Sequence, residues 1–284
     1  MDTPRSLSLP RGRRLDFSRG YAVMGILNVT PDSFWAASRA RGEAVADLAA
    51  AMIADGADIL DIGGESTRPG AAYVSEAEEL ERVAPAVEAI RSRWDIPISV
   101  DTRKAAVAKA ALSAGADIVN DVAALGDDPA MAPLCAAAGA PVVLMHKKGD
   151  PERMQEDPRY DDCPAEVFAY LAEAAERAVA AGIARGHIVL DPGIGFGKRL
   201  EDNLALLSRL DELVDRGYPV LVGLSRKRFI GAITGRDAAG RLAGSLAAAC
   251  ASLAKGAAIF RAHDVAETVD ALAVYAACVR GAAS

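Results

Sequence analysis

Polar and charged residues follow eight short runs of Val, Ile and Leu along this chain. In chain order the run ends carry Asn28; Asp61, Glu65, Thr67 and Arg68; Asp101; Asn120 and Asp121; His146; Asp191; Ser225, Arg226 and Lys227; and Arg261 with His263. Carboxylates and amides form hydrogen bonds with a polar ring, while Arg, Lys and His bind anions. The pattern therefore predicts a site for a ligand that combines a hydrogen-bonding ring with an anionic group.

The eight apolar runs predict eight strands that are buried on both faces. They are continuous rather than alternating, which is typical of parallel strands covered by helices. The predicted strands are residues 22–27, 58–62, 97–100, 117–120, 141–145, 187–190, 219–224 and 257–260. Helical spacing lies between them, and one predicted buried face comprises Val45, Leu48, Ala49, Met52 and Ile53. Ser75 and Glu78 have the spacing of a capping box at a helix start.

Eight strand-and-helix units without a linker between them predict an α/β fold with one closed (β/α)8 barrel. We assign residues 21–284 to the barrel and residues 1–20 to a short N-terminal extension, which we expect to form a small lid under it. In such a barrel the carboxyl ends of all strands meet on one face. The polar residues that end the runs are therefore expected to converge there.

Composition and charge exclude several classes of protein. The 32 basic and 39 acidic residues give a net charge of −7, so a nucleic-acid partner is not expected. The longest nearly uncharged apolar run, residues 242–254, is shorter than the roughly 20 residues that span a bilayer, and no signal peptide precedes the pattern. The four cysteines lack metal or disulfide spacing, which predicts reduced thiols and a cytoplasmic protein.

The segment from Asp191 to Lys198, with sequence DPGIGFGK, carries three glycines but matches neither common nucleotide-binding loop. A Walker A loop needs Ser or Thr where Arg199 stands, and a dinucleotide-binding turn would open the first strand-helix unit. We expect the glycines to let the loop run close under a flat ligand, with Phe196 as a wall. His263 follows Arg261 by two residues, which predicts joint contact with an anion.

Ser225 leaves two interpretations open. Its hydroxyl could bind an anion together with the backbone N–H groups that follow, or it could simply cap the next helix. The sequence 223–227 ends in Lys where a serine-hydrolase elbow needs Gly, so hydrolase chemistry of that type is not supported.

Together these motifs resemble the dihydropteroate synthase family, the sulfonamide target of folate biosynthesis. The likeness extends over residues 21–279 and rests on NVTPDSF (28–34), DIGGESTRPG (61–70), SVDT (99–102), ND (120–121), LMH (144–146), DPGIGFGK (191–198), SRK (225–227) and RAHD (261–264). The family has a TIM-barrel fold, which agrees with the separate strand count. The resemblance implies condensation of (7,8-dihydropterin-6-yl)methyl diphosphate with 4-aminobenzoate, giving 7,8-dihydropteroate and diphosphate.

The resemblance also implies roles for individual residues. The pterin is expected on Asp101, Asn120, Met145, Asp191 and Lys227. The diphosphate is expected near Thr67, Arg68, Arg261 and His263, with a Mg²⁺ cofactor on Asn28. The 4-aminobenzoate is expected beside Phe34, Pro69, Phe196, Ser225 and Lys227. Catalysis is expected to depend on Arg261, His263 and Lys227. The family is commonly a homodimer, and the small residues of segment 242–254 would pack either against a partner or against the barrel.

One motif departs from the family pattern. After Phe34 many members continue Ser-Asp-Gly-Gly, whereas this chain has Trp35, Ala36 and Ala37, so closure of this first loop is an open question. Trp35 is either a packing residue or an additional aromatic cover for the arylamine. Two other functions stay open: a pterin-binding protein without catalysis, and a corrinoid-linked methyltransferase, which would have no use for Arg68, Arg261 and His263 as a diphosphate clamp.

Overall fold

The computed structural model describes residues 6–29, 38–65, 73–149, 154 and 156–280. Within them the strands are β1 (Ser6–Ser8), β2 (Arg14–Asp16), β3 (Ala22–Asn28), β4 (Ile59–Gly63), β5 (Ile98–Asp101), β6 (Ile118–Asp121), β7 (Val142–Met145), β8 (Ile188–Asp191), β9 (Leu221–Gly223) and β10 (Ile259–Ala262). The helices are α1 (Ser38–Ala54), α2 (Glu76–Arg91), α3 (Ala105–Ala114), α4 (Met131–Ala138), α5 (Cys163–Ala180), α6 (Leu200–Ser208), α7 (Leu210–Val214), α8 (Arg228–Thr234), α9 (Leu242–Ala254) and α10 (Val265–Arg280).

Strands β3 to β10 form one parallel sheet that curls into a barrel. Their order is β8-β7-β6-β5-β4-β3-β10-β9, and every neighbouring pair is parallel. The two edge strands meet through a parallel bridge between Leu190 and Val220. The prediction of a single (β/α)8 barrel is therefore confirmed.

Six of the eight barrel strands, all except β7 and β9, end one or two residues later than the apolar runs indicated. β3 includes Asn28, β5 includes Asp101 and β8 includes Asp191, each one residue beyond its predicted end. A parallel ladder is made by backbone groups, so a polar side chain does not end it. The change from apolar to polar residues marks the level at which the interior of the barrel becomes polar. The strands themselves continue beyond this level.

The helices cover the barrel largely as their spacing indicated. Val45 and Ala49 are buried on α1, whereas Leu48 is 43% exposed, so its assignment to the buried face was wrong. The Ser75 hydroxyl accepts a hydrogen bond from the Glu78 N–H at 3.3 Å and caps α2, which confirms this helix start. No described helix combines the length and the apolar character needed to cross a membrane.

A short antiparallel hairpin of β1 and β2 packs against the amino end of the barrel. Its Leu7, Leu15 and Phe17 are buried in one cluster with the inward-facing barrel residues Ile118 and Val189. The boundary at residue 20 stays a prediction, but the hairpin shares its core with the barrel. The amino end of the barrel is therefore closed by apolar side chains.

An ion-pair cluster at Asp117 fixes the hairpin in place. The buried Asp117 carboxylate accepts hydrogen bonds from Arg13 Nη2 at 2.5 Å and from Arg91 Nη2 at 2.7 Å, and Arg11 Nη2 lies 3.1 Å away. Arg11 and Arg13 belong to the extension, whereas Arg91 ends α2. The cluster thus joins the extension to the body of the barrel.

Candidate functional site

The carboxyl end of the barrel carries one inward-facing ring of side chains, which we call the mouth layer. Side chains two residues apart on a strand face the same way, and the residues two positions earlier are apolar on five of these six strands. The mouth layer consists of Asp61, Asp101, Asn120, Met145, Asp191 and Arg261, from β4, β5, β6, β7, β8 and β10. The apolar residues beneath it are Ile59, Ile118, Val143, Val189 and Ile259. A polar ring thus stands on an apolar floor.

Arg261 joins three strands of the mouth layer. Its Nε donates to Asp61 Oδ2 at 2.6 Å, and its Nη2 donates to Asp101 Oδ2 at 2.8 Å. Asn120 Nδ2 also donates to Asp61 Oδ2, at 3.2 Å. The Oδ1 atoms of Asp61 and Asp101 are buried and have no hydrogen-bond partner among the described residues. Two carboxylate acceptors are therefore left for a donor that the chain itself does not supply.

The charge of this cluster is unbalanced, because one guanidinium lies between two buried carboxyl groups. Burial raises the pKa of Asp101 from 3.8 to about 7, against the attraction of Arg261, and the Asp61 charge raises it further. The pKa of Arg261 is raised by the two carboxylates despite its burial. The mouth layer therefore takes up or releases a proton near neutral pH.

Asp191 and Lys227 form a second polar region of the mouth. Asp191 Oδ1 accepts the Gly193 N–H at 2.7 Å, and burial raises the pKa of this carboxyl. Lys227 Nζ donates to the Ile194 carbonyl and lies 4.4 Å from the centre of the Phe196 ring. Burial lowers the pKa of Lys227 to about 8. The structure thus places the Lys227 cation beside the aromatic face of Phe196.

Lys198 organises the loop that contains Phe196. Its buried ammonium donates to the carbonyls of Gly193 at 2.9 Å, Phe196 at 3.0 Å and His146 at 3.3 Å, and lies 3.0 Å from His146 Nδ1. Gly193 has φ +65°, and a Cβ there would lie 1.9 Å from the His146 carbonyl oxygen. Only glycine can therefore bring this loop so close to the end of β7.

His146 is not a cation of the site. Burial, and next the charge of Lys198, lower the pKa of His146 to about 3. Burial also lowers the pKa of Lys198, to about 7. His146 is neutral at physiological pH and accepts a hydrogen bond through Nδ1, so its place at a strand end serves the loop rather than an anion.

Ser225 contacts His263 across the β9 and β10 ends. The Ser225 hydroxyl lies 3.0 Å from His263 Nδ1 and accepts the His263 N–H at 3.3 Å. Helix α8 has Lys227 at its N-cap, so the alternative in which Ser225 caps the helix was wrong. The hydroxyl is instead held at the mouth, two residues beyond the last residue of β9.

Asn28 lies on the same rim. A Cβ built on Gly63 would lie 3.7 Å from Asn28 Oδ1 and 3.6 Å from Asp101 Cβ, so these two side chains flank Gly63. Among the described residues no group of three or more His, Cys, Asp or Glu side chains could hold a metal ion. A hard cation at this rim would thus obtain most of its oxygen ligands from substrate and water.

Four predicted site residues, Phe34, Thr67, Arg68 and Pro69, lie outside the described residues, as does Trp35. Their assignments stay predictions. The described candidates Asn28, Asp101, Asn120, Met145, Asp191, Phe196, Ser225, Lys227, Arg261 and His263 all belong to the carboxyl ends of barrel strands or to the loops that follow them.

Two residues of the site had no individual role in the sequence analysis. Asp61 was only one of the run ends, but the alternation of Ile59, Asp61 and Gly63 places it on the same inward face as Asp101. Lys198 ends the glycine-rich loop, and no spacing rule could show that its ammonium folds back onto three carbonyls of that region.

Comparison with known proteins identifies related chains. Residues 24–263 match the model of a family described as pterin binding enzyme. Dihydropteroate synthase of Escherichia coli (strain K12) is 49% identical over 267 residues, which are 93% of this chain and 93% of that protein.

Solved structures are similar over almost the whole chain. Dihydropteroate synthase of Xanthomonas albilineans with 4-aminobenzoic acid has a TM-score of 0.90 at 46% identity, covering 98% of this chain and 100% of that one. The Yersinia pestis enzyme in complex with a sulfonamide drug also has a TM-score of 0.90, at 45% identity, covering 97% and 100% of the two chains. These proteins bind their ligands on a fold that this chain shares.

The titration of Asp101 predicts a pH-dependent effect of Asp101→Asn on stability. Asp101 holds its proton up to about pH 7 in the folded state but only to about pH 4 when unfolded. The contribution of Asp101 to the unfolding free energy is therefore lost as the pH rises through this window. Asn does not titrate. The unfolding free energy of the variant minus that of the original chain should therefore rise between pH 4 and pH 7, by up to ~1.4 kcal/mol per pH unit.

Urea unfolding at pH 5, 6 and 7 measures this difference. Asp127→Asn is the control, because burial raises the pKa of Asp127 but hydrogen bonds from Lys147 and Arg103 lower it overall. Its carboxyl is ionised in both states over this range, so its difference should stay flat. A flat difference for Asp101→Asn as well would contradict the raised pKa.

Proposed function

Since the chain belongs to the family of pterin-binding enzymes, and among them to the dihydropteroate synthases, we propose that the mouth layer and its neighbouring loops perform the synthase reaction. The reaction joins (7,8-dihydropterin-6-yl)methyl diphosphate to 4-aminobenzoate, gives 7,8-dihydropteroate and releases diphosphate. The observation that carries this assignment is the Arg261 cluster. It combines a cation with two buried carboxylate oxygens that have no hydrogen-bond partner in the described part of the chain.

The pterin binds to the deep acids and amide of the mouth layer. Its 2-amino group and ring N–H are donors, which suits the carboxylates of Asp101 and Asp191 and the amide of Asn120. The pterin carbonyl is an acceptor, which suits the Lys227 ammonium. Met145 is buried beside them on β7 and supplies an apolar contact. Unpaired buried acceptors are costly, so the correct ring is favoured over one that lacks these donors.

The diphosphate lies toward the cations of the rim. Two of the three nitrogens of Arg261 engage Asp61 and Asp101, which fixes the orientation of the guanidinium. We assign the third nitrogen, together with His263 two residues later in the chain, to the leaving group. Cations that are already oriented stabilise developing negative charge without reorganisation during the reaction.

The 4-aminobenzoate lies nearer the opening, between Phe196 and the β9 end. The Phe196 ring offers a flat wall, and Lys227 beside it attracts a carboxylate. The Ser225 hydroxyl, held at 3.0 Å from His263 Nδ1, adds a hydrogen bond. These three groups orient the arylamine toward the pterin methylene.

We favour a dissociative mechanism, in which the C–O bond to diphosphate breaks first. The electron-rich dihydropterin delocalises the positive charge of the methylene. The amine nitrogen of 4-aminobenzoate then forms the C–N bond and gives up one proton to water or to the departing diphosphate. No side-chain nucleophile is needed. Arg261 and His263 stabilise the departing anion, while Asp101 and Asp191 in their ionised forms stabilise the cation by charge.

The purified protein should release one diphosphate for each dihydropteroate formed from the two substrates. Arg261→Ala should lower kcat by about 10²–10³, because it removes one preorganised donor to the leaving group. Diphosphate release and pterin binding are measured separately. Circular dichroism controls for folding, and Arg261→Lys keeps a cation where full truncation is destabilising.

Other outcomes of the same assay favour other functions. Pterin binding without diphosphate release would indicate a non-catalytic pterin-binding protein, and methyl transfer from a reduced folate would indicate the methyltransferase. Unchanged turnover of Arg261→Ala at saturating substrates would refute the role given to the guanidinium.

We propose further that Mg²⁺ acts at the rim beside Asn28. The amide oxygen of Asn28 is a hard ligand, and it flanks Gly63 opposite Asp101, whose Oδ1 has no partner among the described residues. Such a donor set fits an ion that takes the rest of its ligands from diphosphate and water. When bound, Mg²⁺ supplies positive charge to the leaving group.

Removal of Mg²⁺ with EDTA should therefore abolish diphosphate release while pterin binding persists. Asn28→Ala should raise the Mg²⁺ concentration for half-maximal rate by about tenfold, as is typical when a metal site loses part of its support. Titration of the rate with MgCl₂ measures this shift. An unchanged requirement in Asn28→Ala would contradict the assignment of this side chain.

We propose that the chain works as a cytoplasmic homodimer. Cys135 and Cys163 are buried, and all four cysteines are free, which is compatible with a reducing compartment.

Two large apolar side chains are exposed on α10, Val274 at 63% and Val279 at 66%, next to the small-residue helix α9. The exposed Val274, on the helix that packs against α9, is the side chain that we assign to contact with a second copy.

Light scattering at micromolar concentration should give about twice the 29.5 kDa chain mass. Val274→Glu should shift the mass toward the monomer, because it places a charge in the apolar contact. Leu48→Glu, at a side chain of 43% exposure on α1, is the matched control and should leave the mass unchanged. A monomeric original chain would end the dimer proposal.

A further inference from the structure

Arg226 has an unusual backbone conformation between two site residues. It lies between Ser225 and Lys227 with φ +55°, in the left-handed region that non-glycine residues rarely adopt. This conformation costs free energy, so it persists only where surrounding contacts determine it. The proposed function gives roles to both neighbours of Arg226 but none to Arg226 itself.

The backbone of this turn is held from outside the site. The Arg226 N–H donates to Ser245 Oγ on α9 at 2.9 Å, and its carbonyl accepts from Arg241 Nη1 at 3.1 Å. Both peptide groups next to the left-handed residue thus have partners. The left-handed turn at the end of β9 is therefore stabilised by hydrogen bonds to the peptide groups on both sides of Arg226.

The side chain of Arg226 reaches the neighbouring strand end. Its Nε donates to Asp264 Oδ2 at 3.0 Å, and its Nη2 donates to Asp264 Oδ1 at 2.5 Å. Two parallel bonds between a guanidinium and a carboxylate fix orientation as well as distance. Asp264 directly follows His263, which contacts Ser225.

The register of β9 and β10 continues beyond the strands through these side chains. Gly223 pairs with Arg261 in the parallel ladder, a separation of 38 residues. Ser225 contacts His263 and Arg226 contacts Asp264, each again at a separation of 38. Beyond the ends of β9 and β10, the two loops are thus held in the same register by two hydrogen bonds of the Ser225 hydroxyl and by one ion pair.

We propose that Arg226 is a positioning residue for 4-aminobenzoate, acting through Asp264, and this inference rests on the proposed function. The ion pair ties this turn to the end of β10 and so keeps the Ser225 hydroxyl against His263 at the mouth. Lys227 is anchored separately, on the Ile194 carbonyl and the Phe196 ring. Loss of the ion pair should therefore affect the arylamine more than the pterin.

The sizes of the expected changes in Tm and in rate distinguish a positioning role from a role in folding stability. An ion pair with one partner 41% exposed contributes little to folding, so its loss should lower Tm by less than about 3 °C. A displacement of about 1 Å at a binding group, by contrast, can cost up to 10²-fold in rate. A large kinetic effect with a small stability effect identifies positioning.

Arg226→Ala and Asp264→Asn test the proposal in the full-length protein. Each should raise KM for 4-aminobenzoate about tenfold, with kcat and direct binding of the pterin diphosphate changed less than twofold, as expected when uniform binding of one substrate is lost. The double variant should be no worse than either single variant, because both remove the same contact. Arg226→Lys, which keeps one donor to Asp264, should recover part of the affinity.

Arg226→Gly separates the side chain from the backbone. Glycine adopts φ +55° without strain, so this variant keeps the turn but removes the ion pair. It should raise KM for 4-aminobenzoate as much as Arg226→Ala does. A normal KM in Arg226→Gly would show that the turn alone suffices and would overturn the role of the ion pair.

Arg209→Ala is the matched control. Arg209 is 38% exposed and pairs with Asp162 and Glu212, none of which belongs to the site. It should leave both KM values unchanged. An equal rise in KM for Arg209→Ala, or an unchanged KM in Arg226→Ala and Asp264→Asn, would overturn the proposal. Failure of the original chain to turn over would instead refute the proposed function, so the two failures are distinguishable.

Discussion

The site depends on one cation that is shared by two buried carboxyl groups. Arg261 crosses the barrel mouth to reach both Asp61 and Asp101, which lie on adjacent strands β4 and β5. Without the guanidinium these two buried acids would repel each other. With it, they stay close, one charge short of balance, and each keeps one oxygen atom that no described residue contacts by a hydrogen bond. The same interaction therefore sets the shape of the mouth and its demand for a ligand rich in donors.

The barrel tolerates these buried charges because its apolar core and its polar site lie at different ends. Apolar side chains such as Ile118 and Val189 fill the interior below the mouth layer, and the hairpin residues Leu7 and Phe17 close the amino end. Burial of this core stabilises the fold, while the polar ring at the carboxyl end is left to function. Lys198 adds a second buried cation, which holds the β8 loop by its carbonyl groups rather than by an acid.

The sequence predicted the barrel because each strand is a continuous apolar run, and periodicity of that kind is a local property. It also placed Asp101, Asn120 and Asp191 near one another, since parallel strands end on one face. It did not single out Asp61, whose importance arises from the distant Arg261, 200 residues later. Nor could it indicate the left-handed turn at Arg226, because that turn is imposed by Ser245 and Asp264 through tertiary contacts.

The closed amino end of the barrel has a consequence for the order of events. Since the hairpin seals that end, a ligand can reach the mouth layer only from the loop side. In the proposed arrangement the pterin lies on the deeper acids and therefore enters before the arylamine, which then covers it from above on Phe196 and Ser225. Dissociation occurs in the reverse order, so a bound arylamine or its mimic traps the pterin beneath it.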